Sequence, residues 1–307
     1  MLTNVLAALL PVAMLIAFGF VLRRRRLLPD TFWPQAEWLA YFVLLPALFV
    51  YGLATADLGA VPIGRIFAVL IGAIVVTAGL LLAVRPLLAV DGPAFTSIFQ
   101  GGIRFNNYVG VMVATGLYGA EGTALAALAN AAIVPTVNIL AVLAFSRFGT
   151  AAAGLGQVLW RLVTNPLLLA SALGLTLQLT GTGLPIGISG TLATLGQASL
   201  ALGLICVGAG LMPAALGSHL RPMAASLAFK FAVLPAVTLL AALMAGLSGM
   251  ELVIVLTFHA LPTATSSYIL ARQLGGDHAL MANIIAVQTV LSAATIPLAI
   301  VVATALG

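Results

Sequence analysis

Charge is scarce in this chain. Only 6% of its 307 residues are Asp, Glu, Lys or Arg, where a soluble domain carries about 25%. That scarcity excludes a hydrated globular surface. Cysteine is scarcer still. Cys206 is the only one, which excludes a disulfide within the chain and argues against a cysteine-ligated metal. No nucleophile–base pair and no cluster of metal ligands stands out, so neither an enzyme nor a metal or cofactor site is expected. The acidic side chains number seven, namely Asp30, Glu37, Asp57, Asp91, Glu121, Glu251 and Asp277. All fall in loops or near the ends of apolar segments. What the chain has instead is apolar length: 63% hydrophobic residues and a mean hydropathy of +1.22. It reads as a polytopic membrane protein.

A membrane-spanning helix needs about 20 mostly apolar residues. Ten segments qualify: Asn4–Leu22, Gln35–Thr55, Ile63–Val84, Pro93–Leu117, Thr123–Phe145, Pro166–Leu179, Thr191–Met212, Met223–Leu247, Leu252–Leu274 and Leu280–Thr304. The runs are long and do not alternate, which selects helices over barrel strands. The first run precedes its arginines, the reverse of a secretory signal, so it reads as the first span.

The net charge of +5 is not a nucleic-acid footprint, because the basic residues sit where they orient spans. With the N-terminus outside, Arg23 to Arg26, Arg85, Arg147, Arg161, Arg221 and Arg272 face the cytoplasm, nine of the twelve. Arg65 lies near the outer side, and Arg104 and Lys230 fall inside spans. Ten spans then put both termini in the periplasm, with the protein in the cell inner membrane.

The sequence also repeats weakly. "LYGAEGTALAALA" from Leu117 is similar to "LGGDHALMANIIA" from Leu274, an offset of 157 residues. Both follow an interrupted span and lead into a long apolar one. Two halves of five spans are necessarily inverted, and inverted halves with interrupted helices at matching positions mark secondary transporters. The expectation is an all-α membrane protein of ten transmembrane helices in two inverted five-helix repeats, with helices 4 and 9 broken. Residues 1–147 form the first repeat, 148–165 a short cytoplasmic linker and 166–307 the second repeat.

The interruptions read "IRFNNYVG" in the fourth span and "FHALPTATSSY" in the ninth. Pro262 removes a backbone donor and suits the first turn of a new half-helix. Asn106, Asn107, Thr263 and Thr265 are of the types that cap helices or satisfy freed backbone groups. If both helices break, two half-helix N-termini bring partial positive charge to the midplane. A simple kink, held by amide and hydroxyl hydrogen bonds, is the plainer reading.

Arg104 offers a forked cation for a carboxylate, or else braces the carbonyls of the break. Lys230, about seven residues into its span, can serve function or snorkel to the interface. His259 can carry a coupling proton or stay neutral and hydrogen-bonded. Gln288, Ser292 and Thr295 share one face of the last span, with Asn283 nearby. Asn130 and Asn138 give the fifth span a similar character. Such groups serve as interhelical glue or as ligands. No acid stands at either interruption, which points to an anionic substrate.

Together "FQGGIRFNNYVGVMVATGLYG", "HALPTATSSYILARQLGGDHALMANIIAVQTVLSAATIPLA", "LLPALFVYGLA" and "NPLLLASALGL" resemble the auxin efflux carrier family over essentially the whole chain. The most specific element is Arg104, Asn106, Tyr108 and Gly110. The family includes bacterial members proposed to carry malonate and plant members that export auxin. The resemblance implies helices 4 and 9 crossing at their breaks, a scaffold of helices 1, 2, 6 and 7, an elevator motion and a homodimer. The long cytoplasmic loop of plant members is absent between Ser146 and Asn165, which puts phosphorylation-type control in doubt, and nothing fixes an indole pocket.

The resulting expectation is a secondary active or facilitative transporter of small organic anions, malonate-like or auxin-like carboxylates. Its substrate site comprises Arg104, Asn106, Asn107, Tyr108, His259, Pro262, Thr263, Thr265, Ser266 and Gln288. A sodium-coupled symporter and a non-transporting ligand sensor are the alternatives.

Overall fold

A computed structural model describes residues 2–59, 61–150, 156, 160, 163–185, 187–211 and 220–307. Every regular element among the described residues is a helix. We number them α1 (Leu2–Arg24), α2 (Phe32–Ala54), α3 (Ile63–Leu88), α4 (Gly92–Ile103), α5 (Asn107–Phe148), α6 (Pro166–Leu179), α7 (Ile188–Gly210), α8 (Leu220–Met244), α9 (Gly249–His259), α10 (Ser266–Leu274) and α11 (His278–Leu306). Much of the expected linker, including Arg161, lies outside the described residues, as does Met212 at the end of the seventh expected span.

Seven helical runs are long and apolar enough to cross a membrane, and α6 and α9 are shorter apolar helices. Their surfaces suit lipid. On α3, Val75, Val76, Leu80 and Leu82 face outward while Thr77 is fully buried. A helix apolar on every side needs an apolar solvent. The protein is a multi-pass membrane protein.

One of the seven runs, Gly92–Phe148, is 57 residues long and is interrupted twice. Its first interruption separates α4 from α5. The second lies inside α5, whose 42 residues would extend about 63 Å if straight, twice the roughly 30 Å hydrocarbon core. Gly119 breaks the helix at φ 58° and ψ −131°, a conformation open to glycine. The hydroxyls of Thr115 and Thr123 then stand 2.8 Å apart, where eight residues of straight helix would separate them by about 12 Å. The chain therefore folds back at Gly119.

Two prolines leave a different mark. Pro46 in α2 and Pro235 in α8 follow the π turns Ala40–Leu44 and Phe229–Val233. Each proline lacks the N–H that would bond the carbonyl four residues earlier. Those carbonyls, of Phe42 and Phe231, lie within the wider turns, and both helices continue past their prolines rather than ending.

The residues divide into two units. The first comprises Met1–Ile63, Asn107–Ala131 and Val163–Gly210, and the second Gly64–Asn106, Ala132–Leu162 and Leu211–Gly307. Each unit thus draws on both halves of the sequence. Within the first, α1 packs on α7, and α2 packs on α6 and α7. Gly19 and Gly208 allow the close approach: a Cβ on either would stand 2.0 or 1.9 Å from the carbonyl oxygen of Ile205 or Ile16. The Arg23 guanidinium donates to the Ala209 carbonyl at 2.8 Å, placing a cation at the negative end of α7. Asn165 caps α6 by accepting from the N–H groups of Leu167 and Leu168.

Within the second unit, α4 packs against α8, α10 and α11, and α9 against α8 and α11. Asp91 caps α4 by accepting from the Ala94 N–H, and Asp277 caps α11 by accepting from the Leu280 N–H. The Asp277 N–H donates to the Pro93 carbonyl, and the Ser97 hydroxyl to that of Asp277. These bonds fix the start of α11 against the start of α4.

Candidate functional site

The second unit contains two places where the helical backbone stops and restarts in apolar surroundings. At the first, α4 ends at Ile103, Arg104 is extended with φ −78° and ψ 162°, and α5 begins at Asn107. At the second, α9 ends at His259 and α10 begins at Ser266, with Ala260 to Thr263 all buried between them. A helix leaves its last carbonyls and first N–H groups unbonded, and lipid offers them nothing. Each group therefore needs a protein partner.

The two interruptions supply each other. The Thr263 hydroxyl lies 3.2 Å from the Gly101 carbonyl and 3.3 Å from that of Arg104. Gln288 of α11 accepts from the Thr263 N–H at 2.9 Å and donates to the Gly101 carbonyl at 2.9 Å. Its Nε2 also lies 3.3 Å from the Ser226 hydroxyl of α8. The Gln100 amide reaches the Ser267 carbonyl at 3.5 Å. Gly101 is what admits these partners: a Cβ there would stand 2.2 Å from the Ser226 hydroxyl and 2.8 Å from a methyl of Ile284. Phe105 and Phe258 pack beside the junction with ring centroids 5.8 Å apart.

The Arg104 side chain extends from this frame and is only partly buried. Its Nη1 donates to the Asn138 Oδ1 at 2.9 Å and its Nη2 to the Ser266 hydroxyl at 3.3 Å. Both of these acceptors are neutral side chains, and they orient the guanidinium. Ser266 opens α10, whose N-terminus carries partial positive charge. Two positive features thus meet at one spot, a place suited to an anion.

Of the residues expected to form a site, Arg104, Thr263, Ser266 and Gln288 are joined by these bonds. Asn106 and Pro262 are buried in the same unit and Thr265 is half-buried there. Asn107 and Tyr108 belong to the first unit, where the Tyr108 ring packs on Gly203 of α7. His259 is fully buried and bonded to Thr238 of α8 at 2.6 Å. Lys230 does not snorkel: its side chain is 0% exposed.

Residues 150–300 match the family described as membrane transport protein. That stretch, just under half of the chain, is similar to members of that family. The match indicates a membrane transporter, and members of that family are not enzymes. The match takes in the interruption at Pro262, Gln288, His259 and Lys230, and stops short of Arg104 on the N-terminal side. No curated protein matches the chain.

Two members of the transporter's frame escaped the sequence reading as site residues. By sequence Asn138 reads as interhelical glue or a ligand, and Ser226 carries no signal of its own. The available signal was the repeat offset. Moved by 157 residues, Asn138 falls on Thr295, whose hydroxyl lies 3.5 Å from the Ala260 carbonyl. Each interruption thus has a polar partner at the corresponding place on the span that follows it.

Proposed function

We propose that the transporter is a secondary carrier of small organic anions, carboxylates of malonate-like or auxin-like size, bound where the fourth and ninth spans break. The observation that carries this reading is the Arg104 guanidinium. Neutral acceptors on α5 and α10 hold it at the N-terminus of α10. A carboxylate leaving water must find replacement donors, and a guanidinium offers charge and a two-pronged fork together.

The wider architecture proposed with it is ten crossings in two inverted repeats, with both termini periplasmic in the inner membrane and two copies forming a dimer. Support comes from the fold-back at Gly119, from paired interruptions, and from polar partners at the same offset behind each. The first unit contains α1, α2, α6 and α7, the helices that the family resemblance assigns to a fixed scaffold. The second unit, with Arg104, is then the carrier of an elevator cycle.

The test is uptake into proteoliposomes of labelled carboxylates, malonate and indole-3-acetate among them, with and without proton and sodium gradients. Saturable flux that Arg104→Ala abolishes in folded protein is the expected result. Binding without flux would make the protein a sensor. Flux that requires sodium would make it a symporter. Equal flux in the parent and in folded Arg104→Ala would remove the arginine from the site.

A further inference from the structure

The eleven arginines of this chain are accompanied by a single lysine, Lys230. The distinction matters because a guanidinium keeps its proton in proteins, whereas an amine can release one. Lys230 sits in the π turn of α8, fully buried, and its Nζ has no hydrogen-bond partner among the described residues. π turns inside helices are frequent at functional positions.

His259 at the end of α9 is equally buried. Its Nδ1 lies 2.6 Å from the Thr238 hydroxyl, which lies 2.6 Å from the Leu234 carbonyl. The carbonyl can only accept, so the hydroxyl proton is committed to it. The hydroxyl oxygen must then accept from Nδ1–H. That bond fixes the tautomer and leaves Nε2 as a lone-pair acceptor, again without a partner among the described residues. The helices that bear Lys230 and His259, α8 and α9, pack on each other. These helices thus bury a donor without an acceptor and an acceptor without a donor among the described residues.

We propose that Lys230 and His259 form a proton-binding site of the carrier, separate from Arg104, through which a proton is coupled to anion movement. The proposal rests on the carrier reading above. In the step itself a proton leaves Nζ for water on one side of the membrane, the amine keeps the electron pair, and the local positive charge disappears. In the reverse step Nε2 or Nζ takes the proton back while Nδ1 stays on Thr238. A metal cation is poorly served here, because no aspartate or glutamate is among the buried described residues.

The surrounding titratable groups leave the pair to itself. Of the segments packed on the π turn, α4 contains no titratable group and is followed by Arg104, while α8 contributes only the exposed Arg221. Leu81 of α3 and Phe229 of the π turn both border Gly102, and Arg85 of α3 stacks on the Phe148 ring, 4.4 Å from its centroid. Arg65, also of α3, is exposed and reaches the Ala245 carbonyl. On α9, Glu251 precedes His259 by eight residues, about 12 Å of helix. At the start of α11 stand Asp277, which caps the helix, and His278, which is exposed.

A single lysine makes a direct test possible. Protein grown on Nζ-15N lysine gives one side-chain signal, that of Lys230. The expected result is a signal that titrates within the pH range where the protein stays folded, with a midpoint moved by His259→Gln. A signal that does not titrate, or one indifferent to His259→Gln, overturns the proton site whether or not any carboxylate is carried.

Coupling is read from flux of the carboxylate that the uptake screen identifies. An inward proton gradient should raise uptake about fivefold or more in the parent. It should raise it not at all in Lys230→Met, which loses the charge, or in Lys230→Arg, which cannot release it. Both variants should still catalyse gradient-free exchange, which shows that they are folded. A full gradient response in the folded variants overturns the coupling. Absence of flux from the parent strikes instead at the carrier reading.

Discussion

The two interruptions do opposite work. The one from Arg104 to Asn106 is short and charged. The one from Ala260 to Thr265 is longer and neutral, and Ala260 to Thr263 are buried throughout. The first presents carbonyl oxygens, those of Gly101 and Arg104, and the second presents the hydroxyl and N–H of Thr263. Gln288 joins both, with one end of its amide on each. The neutral interruption therefore sets the geometry of the charged one. In the proposed site one side chain meets the ligand, and the frame that supports it comes from far away in the sequence.

The comparison breaks most severely at Arg104. Replacing it with alanine removes the charge, the fork and the bonds to Asn138 and Ser266, but leaves the bonds that Thr263 and Gln288 make to the backbone and to each other. A lost charged hydrogen bond costs about 1.5–3 kcal/mol, roughly ten- to a hundredfold in affinity. Carboxylate binding to folded Arg104→Ala should fall by that factor while thermal stability stays near the parent value. Arg104→Lys should retain weak binding, since it keeps the charge and loses the planar fork. A large fall in melting temperature instead would assign Arg104 to the frame.

Gln288 is the opposite case. In Gln288→Ala the Thr263 N–H loses its acceptor, while the Gly101 carbonyl keeps the Thr263 hydroxyl. An orphaned buried donor costs about 1–3 kcal/mol, so the variant should melt lower and bind more weakly as a consequence. The discriminating measurement is the order of effects. Gln288→Ala should lose stability first, and Arg104→Ala should lose affinity first. If Gln288→Ala leaves stability untouched and abolishes binding, its amide contacts the ligand directly.

Gly101→Ala sharpens the same point with a smaller step. The new methyl would press on the Ser226 hydroxyl, 2.2 Å away, and on Ile284. Overpacking costs about 1–3 kcal/mol, and the lower end is expected because the Ser226 side chain can turn aside. Ser226→Gly should recover most of the loss in a double-mutant cycle. Failure of that rescue would place the strain elsewhere, at Ile284.

How much of this was legible in the sequence follows from the kind of interaction. The interruptions were, because proline, paired asparagines and an arginine stand out in apolar runs. The neutrality of the second interruption was legible too. The partners were not. Nothing adjacent to Asn138 or Gln288 in sequence says that one orients a guanidinium and the other links two helix ends, since each bond spans tens of residues. Lys230 shows the same limit. A lysine seven residues into a span is long enough to snorkel, and only the packing of its turn shows that it does not. The fold-back at Gly119 was half visible, as two apolar runs separated by a few small and polar residues.

Pro262 yields the smallest predicted effect on stability and the most specific one on function. It lies in the buried non-helical stretch between α9 and α10, where its fixed φ restricts the unfolded chain as well as the folded one. Pro262→Ala restores an N–H and frees that angle. The loss of stability should be under about 1 kcal/mol, because the Thr263 bonds that hold the interruption remain. What changes is the freedom of the stretch to extend α9 by a turn, which would carry Thr263 away from the Gly101 and Arg104 carbonyls. Transport should then fall by several-fold in protein that melts near the parent temperature. Hydrogen exchange of the Thr263 N–H reports the cause: faster exchange in Pro262→Ala supports a loosened link between the two interruptions. Parent-like exchange together with impaired transport would mean that the proline acts on the ligand or on the moving step, and that the two interruptions are held together without it.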